Sequence, residues 1–221
     1  MLTKEQASTM LRLQSGMNEK VDPNWVAAKY PYLRAVVIEG SEAIEHHGWK
    51  WWKKQAMDLP QLQMELIDIW HFILSEILLQ NYGNEAKALA VLQQSLAAAQ
   101  QQSVIEFDSH QYIPRSLDLL NKLELLIALS ASRRIELAIF EAIMADCKMD
   151  WTALYCQYVG KNVLNFFRQD HGYKQGSYQK VWHGREDNEY LVEVMQQLDP
   201  ADPAYQDKLY AELARYYPAQ T

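Results

Sequence analysis

Two stretches of this sequence each place two carboxylates three residues apart. Glu39 and Glu42 lie in EGSEAIEHH, and Glu65 and Asp68 lie in the apolar run LQMELIDIWHFILS. On an α-helix this spacing puts both side chains on one face. If the two helices pack antiparallel across residues 49–61, four carboxylates meet at one level, which is unfavourable unless hard cations lie among them. All-oxygen ligands favour Mg²⁺ or Mn²⁺, so the pattern predicts a metal site made of these four residues.

Two other interpretations of these acids stay open. The first pair could be an ordinary solvated helix face, although the apolar neighbours of the second pair weaken this interpretation there. A di-iron site would use Glu-x-x-His pairs. His71 follows Asp68 by three residues and His46 follows Glu42 by four, but the sequence contains no true Glu-x-x-His. His71 could equally be a hydrogen-bonded core histidine.

A basic and aromatic segment, KNVLNFFRQDHGYKQGSYQK, stands out in an otherwise acidic chain. Lys161, Asn165 and Arg168 share one helical face, and Lys174 with Tyr173 follows in the adjoining loop. Cations beside a planar amide and a ring are the groups that a nucleoside polyphosphate needs for its phosphates, sugar and base. The alternative is a solvated loop with ordinary surface charge.

Composition excludes several classes of partner. The chain has 221 residues, with 21 basic and 28 acidic side chains and a net charge of -7, which argues against nonspecific binding to nucleic acid or acidic membranes. The N-terminal residues lack a signal-peptide pattern and no stretch is long and apolar enough for a membrane helix, so we expect a cytoplasmic protein. Cys147 and Cys156 are too few for a zinc site or a disulfide framework.

Apolar residues recur at spacings of three and four, and glycine and proline are scarce, which predicts an all-α chain. Thr3 and Gln6 form a capping-box pattern at the first helix. We expect a single domain over residues 1–221, with a structured loop after Phe167. The expected helices span about 3–19, 31–48, 60–83, 84–102, 115–130, 133–147, 150–167, 186–198 and 203–216.

Three blocks of the sequence resemble a known family. The stretches EGSEAIEHHGWKWWK, ELIDIWHF and NFFRQDHGYKQGSYQKVWHGREDNE are similar to the signature blocks of the dimeric all-α dUTP diphosphatases, relatives of the MazG-type nucleotide pyrophosphohydrolases. The resemblance spans roughly residues 10–190, and the metal-ligand pattern shows no departure from it. It implies a multi-helix bundle with a four-helix metal-binding core, a homodimer, and two or three Mg²⁺ ions on the four carboxylates, with Mn²⁺ as a substitute.

The implied reaction is hydrolysis of dUTP, and similarly of dUDP, to dUMP, which limits uracil in the DNA precursor pool. By position in the last block, Lys161, Arg168 and Lys174 would bind phosphates, and Asn165 and Tyr173 would hold the deoxyribose. The chemistry of phosphoryl transfer then assigns the proton of the attacking water to Glu42 or Glu39.

Base recognition has five candidates, namely Gln14, Asn18, Trp49, Trp52 and His71. Uracil presents an N3–H donor between two carbonyl acceptors, so an amide side chain can bind it, and cytosine would oppose donor to donor. The competing functions are a MazG-like enzyme with broader dNTP specificity, a non-catalytic nucleotide-binding scaffold and a di-iron helical protein.

Overall fold

The computed structural model describes residues 1–200, 202 and 204–218 and is all-α in architecture, with two short hairpins. The elements in chain order are α1 (Lys4–Val21), α2 (Trp25–Ala28), α3 (Tyr32–His47), α4 (Leu59–Gln80), α5 (Glu85–Gln101), β1 (Ile105–Phe107), β2 (His110–Tyr112), α6 (Leu119–Ala131), α7 (Leu137–Asp146), α8 (Trp151–Asp170), β3 (Val181–Trp182), β4 (Arg185–Glu186), α9 (Asp187–Gln197) and α10 (Tyr205–Tyr216). None of the described helices is long and apolar enough to cross a membrane.

Local chemistry explains where the long helices begin and end. The side chains of Thr3 and Gln6 complete the capping box that the sequence predicts at the start of α1. Asp58 caps α4 by accepting a hydrogen bond from the backbone of Gln61, and Pro60 lies in the first turn of that helix. At the end of α3, Gly48 adopts the left-handed conformation with φ of 82°. The caps of α3 and α4 define the ends of the two helices that carry the four carboxylates.

The apolar core surrounds α4, which packs against α1, α3, α5 and α8. Trp70 of α4 is fully buried and stacks on Phe140 at 5.3 Å between ring centroids. Gly40 allows α3 to approach α6 closely, because a Cβ at this position would lie 2.8 Å from a side-chain carbon of Ile127. Burial on this scale holds α3 and α4 rigidly side by side.

Several elements differ from the sequence prediction. The helix α2, a 3₁₀ turn at residues 114–116, and both antiparallel hairpins were not expected. The helix expected from residue 133 begins at Leu137, because Arg133 has a φ of 65° and its backbone ends the preceding helix. The expected start of the last helix, Pro203, lies outside the described residues.

The segment after α8 is structured, as the sequence predicts, and its aromatic side chains pack on Phe167. Tyr178, Trp182, Tyr210 and Tyr217 all lie within 6.5 Å of this ring, measured between centroids. The hairpin of β3 and β4 leads directly into α9. This packing fixes the end of α8 relative to the start of α9.

Candidate functional site

Three carboxylates from two helices form an acidic cluster, which we define as Glu39, Glu42 and Glu65. One oxygen from each residue lies within 4.8 Å of the others. Glu65 is only 7% exposed, Glu39 is partly buried and Glu42 is exposed. The nearest basic group is His46, whose Nε2 lies 3.3 Å from Oε1 of Glu65. The donor set is entirely oxygen and fits a hard divalent cation.

The cluster is electrostatically strained. Burial, followed by the charges of Asp68, Glu65 and Glu42, raises the pKa of Glu39 to about 8. Burial and the charge of Asp68 likewise raise the pKa of Glu65 to about 7. The neighbouring carboxylate charges raise the cost of ionising Glu39 and Glu65. A bound divalent cation would remove this cost.

Asp68 lies one turn along α4 from Glu65 and pairs with a buried lysine. Its Oδ2 is 2.9 Å from Nζ of Lys161, which is 3% exposed. Nζ of Lys161 also donates a hydrogen bond of 3.2 Å to Oδ1 of Asn188 in α9. The structure therefore brings one of the predicted phosphate ligands beside the fourth predicted metal ligand.

A cavity of about 400 Å³ opens beside these groups. Its lining includes eight residues that the sequence singled out, namely Gln14, Asn18, Glu39, Asp68, His71, Asn165, Arg168 and Tyr173. The lining also includes the aromatic residues Trp25, Tyr30, Tyr32 and Phe72, which sequence reasoning missed. Three of these four lie in the segment NWVAAKYPY, whose density of rings was the available signal. The fold thus gathers residues from α1, α3, α4 and α8 around one concave site.

One end of the cavity is built on a buried polar network. The Gln14 amide donates to Oγ of Ser75 at 2.8 Å and to Oδ1 of Asn18 at 3.1 Å. Its Oε1 lies 2.7 Å from Nδ1 of His71 and 2.9 Å from the hydroxyl of Tyr158. Sequence reasoning missed Ser75 and Tyr158, although Ser75 follows His71 by one helical turn. The network fixes the side chains that face the cavity.

Two atoms of this network have no hydrogen-bond partner among the described residues, namely Nε2 of His71 and Nδ2 of Asn18. Both residues are more than nine-tenths buried and line the cavity. Burial lowers the pKa of His71 to about 4, so its imidazole is neutral. Since Nδ1 faces the Gln14 oxygen, we assign the proton to Nδ1, which leaves Nε2 as an acceptor. This end of the cavity offers one donor beside one acceptor.

Arg168 also lines the cavity, and together with Lys161 we call it the cationic pair. Its guanidinium forms a two-point contact with the fully buried carboxylate of Asp187, with both distances 2.8 Å. Nη1 of Arg168 donates to Oδ1 of Asn165 at 3.2 Å. The guanidinium carbon lies 5.9 Å from the centre of the Tyr173 ring. Asp187 was not singled out from the sequence.

Six predicted site residues are not part of this cavity lining, namely Glu42, Glu65, Lys161, Lys174, Trp49 and Trp52. Lys174 is exposed, and its Nζ donates to the backbone oxygen of Val21 at 2.5 Å. Trp49 and Trp52 lie with Trp51 in the connection after α3, where their rings meet edge to face. The structure does not bring these tryptophans to the base end of the cavity.

The family described as dUTPase matches this chain over residues 6–173. The match includes every predicted metal ligand and the residues that line the cavity. A comparison with curated proteins gives no match. The match spans more than half of the chain, and the all-α architecture agrees with it. This chain therefore belongs to the all-α dUTPase family and is an enzyme of the dUTP diphosphatase class.

Proposed function

We propose that this enzyme hydrolyses dUTP to dUMP and diphosphate with Mg²⁺ held by Glu39, Glu42, Glu65 and Asp68. One observation supports this most strongly. The acidic cluster lies next to a cavity that presents a buried donor and a buried acceptor, neither of which has a hydrogen-bond partner among the described residues. Buried polar groups normally have hydrogen-bond partners, so we infer that these two atoms and the acidic cluster bind a ligand.

The acidic cluster and Asp68 supply the charge and the oxygen donors for two or three Mg²⁺ ions, with Mn²⁺ as a substitute. When bound, such ions neutralise phosphate oxygens and acidify the attacking water. Glu42 or Glu39 takes the proton of that water, and the raised pKa of Glu39, about 8, suits a group that accepts a proton near neutral pH.

The cationic pair would hold the phosphates. Lys161 and Arg168 are fixed by carboxylates, so they lose little conformational entropy when a polyphosphate binds. Lys174 would reach the phosphates from the adjoining loop. Asn165 and Tyr173 line the cavity beside Arg168 and would hold the deoxyribose.

The base end distinguishes uracil from cytosine by its hydrogen-bond pattern. Nε2 of His71 would accept the N3–H of uracil, while Nδ2 of Asn18 donates to a neighbouring carbonyl. Cytosine has an acceptor at N3, and its N4 amino group donates, so both contacts would be opposed. Gln14 would contribute indirectly, because its hydrogen bonds hold the side chains of Asn18 and His71 in place. Trp49 and Trp52 do not line this cavity, so in this proposal the base contacts come from α1 and α4.

Further parts of the proposal are hydrolysis of dUDP, a homodimer, a single domain over residues 1–221 with a four-helix metal-binding core, and a cytoplasmic location. In the cell this activity would limit uracil in the DNA precursor pool. The net charge of -7 supports the absence of a nucleic-acid partner.

A panel of nucleotides tests the proposed function. Purified protein is incubated with dUTP, dUDP, dCTP, dTTP, dATP and dGTP, with Mg²⁺ and with a chelator, and the nucleotide products are separated. We expect rapid conversion of dUTP and dUDP to dUMP that requires Mg²⁺, with slow turnover of the others. Equal cleavage of the four canonical dNTPs and no preference for dUTP would instead indicate a broad MazG-like pyrophosphohydrolase.

A further inference from the structure

The carboxylate of Asp187 lies behind the phosphate side of the cavity and contacts it only through another residue. Asp187 is the first residue of α9, is 0% exposed, and lies beyond the region matched by the family. Its two oxygens accept hydrogen bonds from Nε and Nη2 of Arg168, each 2.8 Å long. A two-point contact of this kind fixes the plane of the guanidinium as well as its position.

The hydrogen bonds of Arg168 determine which of its edges faces the cavity. Nε and one N–H of Nη2 contact Asp187, and Nη2 also lies 3.4 Å from Oδ1 of Asn188. Nη1 contacts Asn165 with one of its two N–H groups. Nη1 is therefore the guanidinium nitrogen that makes no hydrogen bond to Asp187. Arg168 lines the cavity, so we take Nη1 as the nitrogen that would contact a ligand.

The same turn of α9 also fixes the other member of the cationic pair. Oδ1 of Asn188 accepts a hydrogen bond of 3.2 Å from Nζ of Lys161. Gly160 permits this approach, because a Cβ there would overlap the side chain of Met195 in α9. The start of α9 therefore contacts the charged ends of both Lys161 and Arg168.

Tyr178 supports Asp187 from the opposite side. Its hydroxyl donates to Oδ2 of Asp187 at 2.8 Å. Its ring stacks on Tyr217 with an interplanar angle of 12° and a centroid distance of 5.4 Å. The hydroxyl of Tyr217 in turn accepts a hydrogen bond from the backbone of Gln179. Asp187 is thus held by a packed aromatic cluster that reaches the C-terminal helix.

We propose that Asp187, supported by Tyr178, is a positioning residue that aims Nη1 of Arg168 at the phosphate end of the bound nucleotide. The proposal rests on the proposed function, in which Arg168 binds phosphate. A buried ion pair is weak evidence for stability, because well-packed apolar residues often serve as well. Orientation is the property that an apolar replacement could not supply. It also explains why a residue outside the cavity uses both carboxylate oxygens on one guanidinium.

Binding measurements on variants separate positioning from general stability. The ligands are α,β-imido-dUTP, which resists hydrolysis, and deoxyuridine, which lacks phosphates, both titrated calorimetrically in the presence of Mg²⁺. The proteins are the wild type, Asp187→Asn, Tyr178→Phe, Arg168→Gln and the Asp187→Asn/Arg168→Gln double variant. Glu193→Gln is the matched control, because Glu193 in the same helix makes a two-point contact with Arg185 that lies outside the cavity lining.

We expect Asp187→Asn to weaken α,β-imido-dUTP binding by about tenfold or more while deoxyuridine binding stays within about twofold of the wild type. Tyr178→Phe removes one supporting hydrogen bond and should weaken α,β-imido-dUTP binding by roughly threefold. In the Arg168→Gln background, Asp187→Asn should cause no further loss, because its effect passes through Arg168. Glu193→Gln should bind both ligands like the wild type.

Other outcomes overturn the proposal. Equal weakening of both ligands by Asp187→Asn, or an additive loss in the double variant, would make Asp187 merely structural. If Asp187→Asn does not fold, Tyr178→Phe decides, since unchanged α,β-imido-dUTP affinity in that variant contradicts the positioning role. A wild-type protein that binds α,β-imido-dUTP no more tightly than deoxyuridine would overturn the proposed function together with this inference.

Discussion

The acidic cluster and the cationic pair are neighbouring parts of one site, but their charges are balanced in different ways. Lys161 and Arg168 each contact a carboxylate within 3 Å, so the protein itself neutralises them. Glu65 of the acidic cluster has His46 at 3.3 Å and also interacts electrostatically with Lys161, yet burial and mutual repulsion still raise the pKa of Glu39 to about 8. The charges of the cationic pair are therefore compensated within the folded chain. The charges of the acidic cluster are compensated only in part, and we expect a cation from solution to balance them. The acidic cluster therefore lowers the stability of the fold, as is common at functional sites.

The largest expected effect comes from removing one ligand of the acidic cluster. Glu65→Gln keeps the shape of a side chain that is 7% exposed but removes its charge. We expect dUTP turnover in Mg²⁺ to fall by about three orders of magnitude, because metal-based charge stabilisation is lost. Glu45→Gln is the control, since Glu45 is exposed in α3 and contacts Lys50 and Trp49. A Glu65→Gln enzyme that kept a tenth of wild-type turnover would contradict the assignment.

Removing one charge from the acidic cluster and one from the cationic pair should change the stability of the protein in opposite directions. At pH 9 without metal, above the pKa of about 8 for Glu39, Glu39→Gln should raise the melting temperature, because it removes a repelled buried charge. Lys161→Met should lower it, because Asp68 loses its cation. Each shift should be roughly 3 °C or more for a domain of this size. Thermal melts of both variants, with Lys87→Met as an exposed control, check the signs, and two shifts of the same sign would refute the comparison.

The metal-free protein should lose stability as the pH rises from about 6.5 to 9. The folded-state pKa values of Glu65 and Glu39, about 7 and about 8, lie above the ordinary value of 4.5. Between the ordinary and raised values the folded state binds more protons than the unfolded state, so the free energy of unfolding falls with pH. His71, whose pKa is lowered to about 4, has the opposite effect, but only below its ordinary value of 6.5.

Denaturant melts across this pH range measure the slope. Saturating Mg²⁺ should flatten it, because metal-bound carboxylates stay ionised in the folded state. A metal-free wild type whose stability stayed constant from pH 6.5 to 9 would show that the acidic cluster is not strained.

The smallest expected effect concerns the exposed cation. Lys174 is exposed and donates to the backbone oxygen of Val21, whereas Lys161 is buried against Asp68. Lys174→Met should therefore raise the KM for dUTP by roughly twofold to fivefold and leave kcat almost unchanged, since exposed charges contribute little. Steady-state kinetics of this variant beside Lys161→Met tests the ranking. An effect of Lys174→Met as large as that of Lys161→Met would reverse it.

The carboxylate pairs could be identified from sequence because a helix turns an exact spacing into a shared face. Thr3, Gln6 and Gly48 could be assigned to helix ends because capping is local, whereas the N-cap Asp58 was not identified from the sequence. The short hairpins left only weak signals, because strands of two or three residues show no usable periodicity. Most of the helices could therefore be predicted from local interactions.

The supporting residues of the site depend on tertiary contacts and could not be found in this way. Tyr158 meets Gln14 across 144 positions, and Asp187 meets Arg168 across 19 with a hairpin between them. No spacing rule relates such pairs. Trp49 and Trp52 are chemically suited to stack on a base and lie in the connection after α3, outside the cavity lining, so a base contact by either one stays a prediction.

The most direct test of the central claim is the melting temperature of the metal-free enzyme at pH 8 before and after Mg²⁺ is added. At a concentration a hundred times Kd, binding should stabilise the wild type by about 2.7 kcal/mol, or roughly 5–10 °C. Glu45→Gln should respond in the same way, and Glu65→Gln should show little change. A wild-type melting temperature that Mg²⁺ leaves unchanged, even with α,β-imido-dUTP present, would contradict the assignment of the acidic cluster as a metal site.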